Sequence, residues 1–252
     1  MMHEKVAEVI KIRSDNTSKS IRASDGRVVM EKEEVLSRWR EYISELFADE
    51  RLKRTNVIYN DEGPKIMTEE VKAAIGKMKN RKAVGDDGIS VEMIKALGDF
   101  GVEKITDIAN RIYDTGEVTN QMCKSTFIAI PKVQGTLECN KHRTISIMSQ
   151  ITKIILRVVL ERIRNKIRPQ ISEEQFGFVR GKGTRDAIFV LRMVAEITIE
   201  VNKDIFLCFV DYEEAFDKVE HDSLIEILEK QKNRWERFKT YKELVLEPRC
   251  SS

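Results

Sequence analysis

Residues 205–219 read IFLCFVDYEEAFDKV. Six apolar residues, Ile205 to Val210, run without a break into Asp211. A run of this length, rich in aromatic and branched side chains, predicts a buried β-strand. Alternation along a strand puts Leu207, Phe209 and Asp211 on one face. A carboxylate at the exit of a buried strand is a good place to hold Mg²⁺, a hard cation that takes oxygen ligands. The neighbouring main-chain carbonyl of Val210 or Tyr212 is a candidate further ligand. In nucleotidyl transfer two such ions, about 3.5–4 Å apart, clamp the attacking and leaving oxygens. A plain strand end followed by a helix cap reads the same residues without any metal.

Upstream of this run the periodicity is mostly helical. From Glu33 to Phe47, Val35, Leu36, Trp39, Tyr42, Ile43 and Leu46 recur at helical spacing. Asp25-Gly26 marks a turn in a polar N-terminal stretch, and 51–65 reads as a linker. A helix is expected from Thr68, whose hydroxyl is a cap candidate ahead of Glu69 and Glu70, to about Met78. Further helices are expected near 91–98, 102–115, 149–167, 184–201 and 223–230. In the second of these Val102, Ile105, Ile108 and Ile112 share a face. The third would turn Ile151, Ile154, Ile155, Val158, Val159, Ile163 and Ile167 inward. Thr126 to Ile130, TFIAI, is a short β-like run closed by Pro131. Many helices with few short strands predict an α+β fold.

The composition sets wide bounds. A 252-residue chain with 41% hydrophobic and 34% charged residues has enough material for a core and is rich in charge. The net charge of +2 demands no nucleic acid, so only local clusters can speak for one. Four cysteines without close pairing and three histidines argue against a structural zinc site or a disulfide framework. The absence of a membrane-length apolar run or signal-peptide core predicts an intracellular protein, cytoplasmic or nuclear, without a membrane partner.

Three other stretches combine charge with glycine. Ile130-Pro131-Lys132 and His142-Arg143-Thr144-Ile145-Ser146 place two cations beside a candidate hairpin, where a lysine point charge and a two-pronged arginine can reach one phosphate group. Val84 to Ser90, VGDDGIS, is a loop with Gly85 and Gly88. Gln175 to Thr184, QFGFVRGKGT, joins glycines that permit close backbone approach to Arg180 and Lys182, which can neutralise a phosphate chain. Solvated cations and flexible surface loops are the plainer account of each.

Taken in order, these stretches resemble the reverse transcriptases of LINE-type (non-LTR) retrotransposons, closest to the RTE-like group, over residues 33–230. Asp211, an aromatic and then Ala215-Phe216-Asp217 resemble the first catalytic motif. The Pro131-Lys132 … Cys139 … HRTIS pattern resembles the fingers hairpin. QFGFVRGKGT resembles a segment that usually has arginine at Val179, and the Lys82–Ile89 loop has Val84 and Asp86 where prolines are usual. The resemblance implies a right-hand polymerase: helix-rich fingers (66–185) after an N-terminal helical and linker segment (1–65), then an incomplete palm (186–233). It implies that Asp211 binds Mg²⁺ as a catalytic carboxylate. It further implies that Lys132 and Arg143 hold the dNTP triphosphate, and that Phe216 excludes a ribose 2′-hydroxyl. Gly85, Gly88, Arg180 and Lys182 would meet nucleic acid, with an RNA template, a DNA primer and dNTP as partners.

No Asp-Asp pair follows Asp211, although the family's second catalytic motif carries one. The expectation is therefore a partial, truncated domain that does not polymerise by itself. The tail 234–252 is expected to be frameshifted, because codons for these residues, shifted by one nucleotide, can read like the family's LIxNLYW helix. A non-catalytic nucleic-acid-binding remnant is the alternative function, and a ligand-free helical scaffold a third.

Overall fold

A computed structural model of the chain describes residues 20–46, 64–115, 117–119, 122, 124–212, 215–216, 219–220, 223–224, 226–227 and 249–250. It combines helices with short strands, and it divides into two units, one of residues up to Arg162 and from Phe216 onward, the other of Ile163–Ala215.

In the first unit, two strands that the periodicity did not reveal, β1 (Ile21–Arg22) and β2 (Val28–Val29), form a small hairpin around the expected Asp25-Gly26 turn. Next comes α1 (Lys32–Leu46). Its Val35, Trp39 and Ile43, four residues apart, fall on one stripe and are buried. That stripe packs with Ile21, Val29, Ala129 and Cys139 in one apolar cluster. Ala129 belongs to β4 (Ser125–Pro131), which pairs antiparallel with β5 (His142–Met148) from Ser125↔Met148 to Pro131↔His142. Pro131 therefore lies in the last pair of the ladder, at the strand end where its missing N–H is tolerated.

A second cluster unites α2 (Thr68–Gly76), α3 (Val91–Ala96), α4 (Gly98–Thr115), β3 (Glu117–Val118) and the first three turns of α5 (Gln150–Ile167). Val71, Ile75, Val91, Ile94, Ile105, Ile112, Ile154, Ile155 and Val158 fill it. Two details differ from the periodicity. Ile108 is 37% exposed, while Thr106 and Ala109 are buried in its place. Met67, not Thr68, stands at the N-cap of α2; its N–H donates to the Glu70 carboxylate, and the Thr68 hydroxyl donates to Glu69 instead. β3 pairs in parallel with β6 (Arg249–Cys250).

Two polar staples hold the segment before α2. Asn110 exchanges both amide hydrogen bonds with the main chain of Ile66, at 2.7 and 2.9 Å. Arg162 forks onto both Glu70 oxygens at 2.6 and 2.5 Å and also donates to the carbonyls of Pro64 and Lys65. Burial pushes the Glu70 carboxyl up, but the hydrogen bonds from Arg162 and Met67 and the Arg162 charge outweigh it. The result is a carboxyl below its ordinary value of 4.5. A lowered folded pKa contributes stability that is fully present above 4.5 and is lost as pH falls through the lower folded value. Glu70→Gln is expected to flatten the acid limb of a melting-temperature profile below that pH. An acid limb as steep in the variant as in the parent would reject the staple as its source.

The second unit holds the last turn of α5, a Gly-rich loop, α6 (Thr184–Glu200) and the stretch 203–212. Here the decisive run departs from expectation. Ile205–Val210 is unpaired and exposed, with Phe206 at 93% and Phe209 at 80%. A strand exists only through a neighbour's hydrogen bonds, and no described residue pairs with it. No helix among the described residues is long and apolar enough to cross a membrane. Ser223, Leu224, Glu226 and Ile227 are helical, as expected; the linker at 51–63 and most of the tail lie outside the described residues.

Candidate functional site

The β4–β5 hairpin has one covered face and one open face. On the covered face Phe127, Ala129 and His142 meet α1, and the His142 ring stands edge-on to Trp39, centroids 5.2 Å apart. The His142 Nδ1 faces the Glu138 carbonyl at 2.8 Å, so this nitrogen carries the proton that it donates. Cys139 is buried beside it, and burial pushes its thiol up to about 11, which keeps it protonated and unreactive.

The open face carries Ile130 and, directly across from it, Arg143, both exposed. Lys132 lies one step past the strand, where its N–H still donates to the Lys141 carbonyl at 2.8 Å. Alternation thus carries Lys132 to the side of Ile130 and Arg143. Diagonal neighbours on such a face sit about 7–8 Å apart, within joint reach of one anion for side chains this long. The Lys132 ammonium rests on the Asn140 carbonyl at 3.0 Å, which leaves its charge unneutralised. The Arg143 guanidinium has no hydrogen bond or ion pair among the described residues. Lys141, exposed opposite Lys132, is a third cation that the sequence reading passed over. Counting the hairpin register outward from Pro131 and His142 would have found it.

The two glycines of the 82–89 loop do different work. Gly85 is buried, and a Cβ there would lie 2.8 Å from the Ser149 N and Cα. Its smallness lets the loop close on the start of α5, where Gln150 donates to the Ala83 carbonyl at 2.6 Å. Gly88 takes a positive φ of 68° in an exposed turn with open space around it. Gly85→Ala is expected to destabilise by about 1–3 kcal/mol, because a backbone neighbour cannot step aside as a side chain can. Urea denaturation measures this, and an unchanged midpoint would show that the loop is not packed in this way.

In the second unit Arg180 and Lys182 are both exposed. Lys182 is tied down: its ammonium donates to the Glu173 carbonyl and stands over the Phe176 ring, 5.3 Å from the centroid. Asp211 is exposed in the unpaired stretch, with Val210 at 72% and Tyr212 at 75% exposure beside it. A hard divalent ion takes about six oxygens, and no group of three His, Cys, Asp or Glu that could hold one occurs among the described residues. Among the described residues Asp211 thus stands without the further acids that a metal centre gathers, and no chemical step is routed through a metal here. Phe216, assigned with the first unit, is 75% exposed. The hairpin brings Lys132 and Arg143 together, whereas Asp211, Val210 and Tyr212 are neighbours only along the chain.

Several cations thus face outward from the hairpin, none of them paired with a carboxylate among the described residues, an arrangement that attracts anions. Residues 130–246 match the family model for reverse transcriptase (RNA-dependent DNA polymerase). The chain is 28% identical over 163 residues to the RNA-directed DNA polymerase from mobile element jockey of Drosophila funebris, covering 64% of this chain and 18% of that protein. It is 27% identical over 153 residues to the Pol polyprotein from the type-1 retrotransposable element R2 of Nasonia vitripennis, covering 60% and 14%. With a 149 kDa protein of transposon TX1 from Xenopus laevis the identity is 24% over 165 residues, covering 65% and 12%. Residues 130–246 thus match part of a reverse transcriptase domain, and over about 64% of its length the chain is homologous to RNA-directed DNA polymerases of non-LTR retrotransposons. It spans less than a fifth of the length of these relatives.

Proposed function

We propose that this chain supplies the fingers and the first palm segment of an RTE-like reverse transcriptase, and that the open face of the β4–β5 hairpin grips the triphosphate of an incoming dNTP. The observation that carries this reading is the pairing of Lys132 and Arg143 on one exposed face, with neither charge answered by a carboxylate among the described residues. Lysine supplies a point charge and arginine a planar fork, a combination suited to adjacent phosphates. Both residues lie inside the segment that matches the reverse transcriptase family, as do Arg180, Lys182, Asp211 and Phe216. In this reading Gly85 and Gly88 shape the loop on the template side, while Arg180 and Lys182 line the path of an RNA template and a DNA primer. Asp211, with the Val210 or Tyr212 carbonyl, is one ligand of Mg²⁺, and Phe216 is the ring that leaves no room for a 2′-hydroxyl.

Lys132→Ala and Arg143→Ala are each expected to weaken dATP binding about 10- to 100-fold, the worth of a hydrogen bond to a charged group. Fluorescence titration measures this, and equal affinity in parent and variants would end the nucleotide assignment. These 252 residues offer one of the carboxylates that two metal ions require. Extension of a DNA primer on RNA with Mg²⁺ is therefore expected to give no dNTP incorporation. Incorporation above background would overturn that part.

A further inference from the structure

The exposed run of the second unit has a self-complementary pattern that nothing above uses. Residues 203–211 read KDIFLCFVD. Helix α6 closes just before it, at Asn202, which takes a left-handed φ of 49°. The Asn202 N–H donates to the Ile199 carbonyl and the Lys203 N–H to that of Thr198, each at 3.0 Å. This pair of bonds caps the helix, so the chain leaves α6 at a fixed residue. Beyond it, the main chain of 204–212 makes no hydrogen bond among the described residues. Six apolar residues therefore carry a row of unanswered N–H and C=O groups, a template for strand pairing.

A second copy of the same run fits it in one register. Set antiparallel with Leu207 opposite Leu207, the run pairs Lys203 with Asp211 and Ile205 with Phe209, twice each by symmetry. All these residues share one face, because alternate positions recur on it. Two lysine–aspartate pairs thus close the ends of an apolar centre. A shift of one residue sets Asp204 against Asp211, or Lys203 against Val210. Shifts of two set Lys203 against Phe209, or Asp211 against Ile205. Parallel pairing in register opposes Lys203 to Lys203 and Asp211 to Asp211. Like charges directly opposed are destabilising, so charge selects both direction and register. The area is also at hand. The Phe206 and Phe209 rings of two copies can alone cover roughly 600–1,000 Å², most of the about 1,200 Å² at which specific interfaces begin. On α6 of the same unit Ile188, Phe189, Ile197 and Ile199 expose further apolar surface.

We propose that the chain forms a twofold dimer by antiparallel pairing of residues 203–211, in the register that sets Lys203 against Asp211. Each copy gives and receives the same contacts, so the interface is isologous. It is independent of nucleotide binding at the hairpin. It engages Asp211 with Lys203 of the second copy, and so competes with the use of that carboxylate for Mg²⁺.

The test is sedimentation velocity of the 252-residue protein over a concentration series, in which a dimer is expected to grow in. Lys203→Asp and Asp211→Lys are each expected to raise the dimer dissociation constant about 10- to 100-fold, because two attractive pairs become repulsive. Both side chains are exposed, so neither change disturbs a core. The double exchange Lys203→Asp/Asp211→Lys restores opposite charges and is expected to return the constant to near the parent value. The register is read at the axis. In a Cys208→Ser background, Leu207→Cys is expected to give a disulfide-linked dimer on oxidation with diamide, since Cα atoms directly opposed across strands lie about 4.5–5.5 Å apart. The same yield from Cys208→Ser alone overturns the proposal. A chain that stays monomeric overturns it too. Protected 205–210 amides in that monomer would mean that the chain's own residues cover the run, and unprotected ones that a different partner does. Polydisperse aggregates in place of a dimer, a dimer indifferent to both charge reversals, or a double exchange that fails to recover it would overturn it as well.

Discussion

Trp39→Ala is expected to destabilise the chain by about 3–5 kcal/mol, the range for truncating a buried aromatic to alanine. Trp39 is 4% exposed at the centre of the smaller apolar cluster. Its ring meets His142 edge-on, with centroids 5.2 Å apart, and Tyr42 at 5.9 Å. Each such pair adds about 0.5–1.5 kcal/mol beyond the area buried. The loss falls on a particular place, because Trp39 is the α1 side chain that touches the hairpin beside Arg143. Removing it leaves the covered face of β5 against a void, and the hairpin loses the support that sets the position of its cations. Hydrogen exchange should therefore speed up at the amides of Ser125–Met148 before those of the helical cluster. A urea midpoint shift worth under 1 kcal/mol, or unaltered exchange in the hairpin, would reject this account. Trp39→Phe, which keeps a ring, should recover most of the loss.

Ile154→Ala is expected to cost about 2–5 kcal/mol through the lost transfer energy and the cavity left behind. Ile154 is fully buried on α5, among Val71, Ile75, Ile105 and Ile112 from two other elements. Those elements reach it from separate parts of the chain, so none can close the gap without dragging its own helix along. Against a typical domain stability of about 5–15 kcal/mol, one such cavity removes a large share. The signature differs from that of Trp39. Under native conditions exchange should rise first in α2, α4 and α5, with the hairpin amides less affected. A midpoint shift below 1 kcal/mol would mean that the helical cluster can collapse around the site, and hairpin amides that lead the exchange would refute the separation of the two clusters.

Legibility followed how local the cause was. Helix α1 was readable because Val35, Trp39 and Ile43 recur every four residues. The α5 span was readable for the same reason, and its Ile154, Ile155, Val158 and Ile163 are buried. The Ser125–Met148 hairpin was legible as a β-like run plus the HRTIS stretch, so Lys132 and Arg143 could be named before their geometry was known. Lys141 was missed because its relevance depends on which residue it faces. Gly85 was assigned to a nucleic-acid path on its residue type, yet what surrounds it is the Ser149 backbone, from a helix some sixty residues on.

The residues alone were enough to establish which stretches are helical, which hairpin carries the cations, and which family the chain resembles. Each of these depends on neighbours along the chain or on short motifs. Tertiary structure decided what became of Ile205–Val210, whose apolar run met every local requirement of a strand and yet stands unpaired and exposed. It also decided that Gly85 lies against the Ser149 backbone and that Arg81 is held in a left-handed turn. The physical reason is common to all three. Helical hydrogen bonds close within four residues, so local pattern suffices for them, whereas a strand's ladder, a close approach and a pinned turn each need a partner from elsewhere in the chain.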